Sequence, residues 1–253
     1  MTGFAALLRK ELVEQWRTTR LPVVATVFLL VGLSSPLLAR FTPEILEAVG
    51  GDQFQIVLPT PTAADAYDQL SKNLGQFGIL IAVLLAMGSV ATEKERGTAA
   101  LILTKPAGRG AFLVSKLVAI AATLGISTAI ASAGAWFYTL VLFEPLPVAG
   151  FAAAAVLQWL ALVAFAAITF LGSTLTRSAL AAAGLGVAAF IVLGILSIIP
   201  AIAPYLPTGL AAPARGLALG LTGVDVLGPT VAAVVLIAGV TLLAWFSFRR
   251  QEL

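Results

Sequence analysis

The residues of this chain that could do chemistry are few, and most of them fall in one run. It reads Glu93-Lys94-Glu95-Arg96-Gly97-Thr98, continues through the apolar Leu101-Ile102-Leu103, and ends in Lys105-Pro106 and Gly108-Arg109, with Lys116 a little further on. Interleaved carboxylates and cations suit ion pairing and docking. They do not suit hydrolysis, because the usual partners are missing. The chain has no His and no Cys. That removes the commonest general base, the commonest transition-metal ligand, thiol catalysis, disulfides and iron–sulfur clusters. Without His there is no H-E-x-x-H metal site and no Ser–His dyad, and Gly172-Ser173 lacks the following Gly of a nucleophile elbow. No G-x-x-x-x-G-K-[ST] segment occurs, so nothing in this chain would cradle nucleotide phosphates. No catalytic, metal-binding or cofactor-binding residue is expected.

The elements that must position this run are apolar. The 253 residues are 60% hydrophobic and 11% charged, with mean hydropathy +1.03. A soluble domain carries roughly 25% charged residues, so this chain could not cover itself with a water-facing surface. Six stretches are long enough to cross a bilayer, which takes about 20 residues per helix. They are expected at 21–39, 73–91, 117–143, 151–175, 179–199 and 229–248. They should be helices, since a barrel would need short alternating segments and runs such as Ala179–Ile199 do not alternate. The chain reads as a single transmembrane domain over 1–253. The first span should be retained and not cleaved, because Glu11, Glu14 and Trp16 precede it and no small-x-small site follows it.

Charge sets the expected orientation. With the N-terminus inside, only Arg40, Lys72 and Arg215 of the fifteen Lys and Arg fall outside. The acidic residues lean outward, including Glu44, Asp52, Asp65, Asp68 and Asp225. Both termini are therefore expected in the cytoplasm of a cell membrane. The net charge of +3 and the pI near 9.5 follow from this asymmetry, so no nucleic-acid partner is expected.

Between the spans, three segments stand out. Phe4, Leu8, Leu12 and Trp16 recur every four residues, with Arg9, Lys10 and Glu11 among the polar positions. This predicts an N-terminal amphipathic helix lying on the inner leaflet. Thr60-Pro61 resembles a helix start leading a short outer helix into the second span. Residues 200–228 are apolar yet broken by Pro200, Pro204, Pro207 and Pro213 and by several Gly, which predicts short broken helices on the outer side. The spans as bounded contain no Asp, Glu, Lys or Arg, which speaks against ion-coupled transport. Among their mild polar groups, Gln158 is the candidate to line a path. Abundant small residues predict close helix packing.

The run at 92–109 reads on physical grounds as a charged turn at the end of the second span. Gly97 relaxes the backbone, Thr98 caps a short surface helix, and Lys105-Pro106 ends it. Such a helix either rests on the leaflet or docks on a cytoplasmic partner. The order Glu93, Glu95, Gly97, Thr98, an apolar run, Pro106, Arg109 and Lys116 resembles the signature of the type-2 ATP-binding-cassette (ABC) exporter permeases. The opening Arg9-Lys10-Glu11-Leu12, the Arg249-Arg250 ending and six spans with both ends inside are similar to that family too, although Ala99-Ala100 stand where it usually has Leu.

The resemblance implies an all-α permease whose 92–109 segment is a coupling helix against a separate cytoplasmic ABC ATPase subunit. That partner would hold the ATP and Mg. A second permease chain, identical or related, would complete the pair, and an unidentified substrate would be exported. The competing readings are a transporter or channel working without ATP, a structural membrane subunit and, least of all, a membrane-embedded enzyme.

Overall fold

The computed structural model describes residues 2–50, 60–98 and 108–251. Among these residues the chain is helical, without strands. Helix α1 (Thr2–Arg17) is followed by α2 (Arg20–Gly50). Helix α3 (Ala63–Asn73) runs through a wide π-type turn at Leu74–Gly78 into α4 (Ile79–Met87), and α5 (Ala91–Glu95) continues the same path. Then come α6 (Arg109–Leu142), α7 (Val148–Leu175) and α8 (Ala179–Leu196). Two 3-10 turns and the short α9 (Ala211–Ala218) lead to α10 (Leu227–Arg249).

Six of these stretches are long and apolar enough to cross a membrane, which matches the expected number. The second comprises Ala63–Glu95 and the third Arg109–Leu142. Both exceed the sequence-based bounds, because a helix continues past the apolar window wherever its polar turns find partners. The extension of the third has a consequence. Lys116, placed just ahead of the span by its hydropathy, lies two turns inside the helix and is 4% exposed.

Helices α6 and α7 form the centre, and α2, α8 and α10 pack around them. The packing is close because small residues face it. A Cβ on Gly32 of α2 would sit 2.1 Å from the Ala131 carbonyl oxygen of α6, and one on Gly186 of α8 would meet the Thr169 hydroxyl at 2.3 Å. In lipid, no hydrophobic drive separates helix from tail, so such approaches carry the association. The outer helices keep bare apolar faces: Leu180, Ile195 and Ile198 of the α8 region are among the most exposed side chains. In water such a surface would aggregate, whereas in a bilayer it meets lipid.

The helix expected after Thr60-Pro61 starts two residues later. Thr62 is the N-cap, its hydroxyl accepts from the Asp65 backbone N–H, and Asp65 accepts from the Thr62 N–H at 2.8 Å. This reciprocal box satisfies two orphan donors, which a Pro at the first helical position would not do. The broken region 200–228 contains short helical pieces, as expected. Its turns use Gly220 and Gly223 at φ +71° and +75°. There Arg215 of α9 clasps Asp68 of α3 at 2.7 Å.

Candidate functional site

Alternation of direction brings α1, α5, the start of α6, the end of α7 and the end of α10 to one end of the bundle. The described shoulders of the 92–109 run, residues 92–98 and 108–109, share this end.

Its centre is a buried ion cluster. The ammonium of Lys116 on α6 donates to Oε1 of Glu93 on α5 at 2.6 Å and to Oε1 of Glu11 on α1 at 3.0 Å. Lys10 adds to the same group, donating to Glu11 at 3.0 Å and standing 3.7 Å from Glu93. Three helices distant in sequence thus share one set of charges. Burial opposes the charge on Lys10, but the Glu11 hydrogen bond and the fields of Glu11, Glu93 and Glu14 outweigh it and raise its pKa from the ordinary 10.5 to about 12. Phe112, one turn before Lys116, lies under the ammonium at 5.1 Å and stacks on Phe248 of α10.

Helix α5 is held from outside itself. The Ser173 hydroxyl of α7 accepts from the backbone N–H groups of Val90 and Ala91, capping the start of α5 across the bundle. The helix ends at Arg96, and Gly97 follows at φ +67°, the left-handed position where only Gly is free of strain. The Thr98 hydroxyl donates back to the Glu93 carbonyl at 3.2 Å, reinforcing the turn. Lys94 donates to the Thr174 carbonyl at 2.7 Å and to Gln251 at 3.1 Å. On the other side of residues 99–107, Arg109 donates to the carbonyls of Phe248, Arg249 and Gln251. A guanidinium there suits the negative end of α10. Both shoulders of the run are therefore anchored to the bundle.

Of the residues singled out in the sequence, Lys10, Glu11 and Glu93 meet Lys116 in the cluster. Arg109 joins the neighbouring clamp, and Gly97 and Thr98 form the turn. Glu95 is exposed on that turn. Pro106 lies outside the described residues. Arg9 and Trp16 are exposed on α1. Gln158 lies away from this end, on α7, where it donates to the Ser71 hydroxyl at 2.7 Å and borders a crevice of about 410 Å³.

Helix α1 turns its polar face, and not its apolar stripe, to the bundle. Glu11 and Gln15 are buried against α6, while Leu12 and Trp16 are 40% and 65% exposed. The polar stripe makes the protein contact because Lys116 and Lys10 compensate it, and this leaves the apolar stripe for the surroundings. Sequence reasoning missed Gln15, and it placed Ser173 only among the mild polar groups of the spans, suited to packing or to a backbone hydrogen bond. The spacing of Glu11 and Gln15, four apart on one helical face, was the available signal for the first; for Ser173 the partners themselves were not legible, because they are backbone groups some eighty residues away.

Among proteins of known sequence, the family model described as ABC-2 family transporter protein matches residues 5–244. The chain is also 31% identical, over 260 aligned residues, to the uncharacterized transmembrane protein YxlG of Bacillus subtilis strain 168. That alignment covers all of this chain and 99% of the relative.

Proposed function

The chain belongs to the ABC-2 family of transporter proteins, and from that premise we propose that it is the permease subunit of an ATP-driven exporter. ATP and Mg are bound by a separate cytoplasmic ABC ATPase, two permease chains pair, and substrate moves outward across the cell membrane. Both termini and the 92–109 segment face the cytoplasm, as the basic asymmetry requires. The observation that carries this reading is the Lys116–Glu11–Glu93 cluster. A push on the turn after α5 is delivered through shared charges to α1 and α6 together, and α6 lies at the centre of the bundle. A breakable surface contact would dissipate such a push, whereas a buried, paired cluster resists separation.

The test is co-expression of the chain with the genes that neighbour its own, followed by purification and identification of any ABC ATPase that copurifies. The complex is expected to hydrolyse ATP and the isolated chain is not. Glu95→Ala combined with Gly97→Val should lower ATPase recovery or separate hydrolysis from transport, with membrane insertion unchanged. Wild-type recovery and coupling in that variant would remove this turn from the coupling path, and ATP hydrolysis by the isolated pure chain would contradict the division of labour.

A further inference from the structure

A polar cavity of about 300 Å³ opens beside the ion cluster, between α1, the end of α4, α5 and α6. Its inner end is apolar, at Leu85 and Ile120, which belong to the spans. Its wall carries two acceptors that the protein does not satisfy. Gln15 is 5% exposed and its Oε1 has no hydrogen-bond partner among the described residues; the same holds for Oε2 of Glu93, whose Oε1 holds Lys116. A buried acceptor without a donor costs free energy, so an occupant that donates hydrogen bonds is favoured. Arg20 and Arg96 also line this cavity, both exposed, and neither has an ion-pair partner among the described residues. The cavity thus combines buried acceptors needing N–H donors with guanidinium groups suited to a phosphodiester.

We infer that this cavity binds the headgroup of a phospholipid bearing a primary amine, of the phosphatidylethanolamine class. The ammonium donates to Gln15 Oε1 and Glu93 Oε2, and the phosphate lies against Arg20 and Arg96. A lipid is favoured over a protein side chain because the cavity reaches span depth at Leu85 and Ile120 and because the neighbouring face of α1 bears the exposed Leu12, Val13 and Trp16. A choline headgroup offers no N–H donor, and a glycerol headgroup offers no cation to Glu93. The inference does not depend on the exporter reading, since it concerns the isolated chain.

The experiment places the purified full chain in nanodiscs of equal phosphatidylethanolamine, phosphatidylcholine and phosphatidylglycerol and measures, by native mass spectrometry, the lipids kept after detergent release. The ethanolamine lipid is expected to be enriched about tenfold, the equivalent of one charge-assisted hydrogen bond. Gln15→Leu should lower that enrichment, whereas Arg20→Gln, which faces the phosphate that all three lipids share, should lower the total lipid retained and leave the ratio close to wild type. Arg20 is exposed, so its variant keeps the test valid if Gln15→Leu does not fold. Equal retention of the three lipids by wild type would overturn the site, as would a preference for the glycerol lipid. Enrichment unchanged in folded Gln15→Leu, or total lipid retention unchanged in Arg20→Gln, would place the lipid elsewhere and overturn this location.

Discussion

Lys116 shows how one side chain can organise an end of the bundle. It is 4% exposed and accepted by two carboxylates, so its removal leaves Glu11 and Glu93 facing each other without it. Breaking one partner of a buried ion group costs about 3–5 kcal/mol, whereas replacing the whole group by apolar residues is often near neutral. Lys116→Met should therefore lower the thermal unfolding midpoint in detergent markedly. Adding Glu11→Gln and Glu93→Gln should recover much of the loss, a result that independent contributions would not give. The raised pKa of Lys10 sets a sign for pH. A cation whose folded pKa exceeds its unfolded value contributes its full stabilisation below the unfolded value, here 10.5, and loses it as pH rises toward about 12. The accessibility of α1 to protease should thus be flat from pH 7 to about 10 and increase only above that.

Helix α1 joins α2 through Thr19, which sits at φ +59° without being Gly. A β-branched residue there is strained, by roughly 1–3 kcal/mol. Thr19→Gly should relieve part of that strain, although the unfolded chain gains freedom that offsets it. The expected net change is a small rise in unfolding midpoint, and a fall would show that the elbow is held by contacts of the Thr19 side chain. Gly32 poses the opposite case. Its missing side chain lets α2 lie against the α6 backbone, with a Cβ meeting the Ala131 carbonyl oxygen at 2.1 Å. Gly32→Val should force the helices apart and cost at least ~1–3 kcal/mol, readable as a lower unfolding midpoint. Gly239 has nothing within 4 Å of its missing Cβ, so Gly239→Ala is the control expected to leave the midpoint close to wild type.

At the scale of the molecule, the six spans place the capped start of α3 and the turn after α5 at opposite ends. The chain has no Cys, so single introduced cysteines report without background. Asp65→Cys should react with an impermeant thiol reagent added to intact cells, and Glu95→Cys only after permeabilisation. Labelling of Glu95→Cys in sealed cells would reverse the proposed orientation.

Composition and pattern by themselves determined the all-helical membrane class, the six spans and the Gly97 turn. Each follows from a property that neighbouring residues express together: a run of about 20 apolar side chains must span as helix, and a Gly after a helical run offers the left-handed position. The family was also legible, through the order of Glu93, Glu95, Gly97 and Thr98. The tertiary structure alone decided which face of α1 turns inward and what Lys116 does. Hydropathy assigned Leu12 and Trp16 to a stripe facing the leaflet but could not say that protein would cover the opposite, polar face. The answer depended on Lys116, about a hundred residues away, because a buried Glu11 is tolerable only where a cation compensates it. The Ser173 cap of α5 and the Arg109 clamp on α10 have the same origin. Their partners are backbone groups that every residue carries, and chain topology decides which of them come within hydrogen-bond reach.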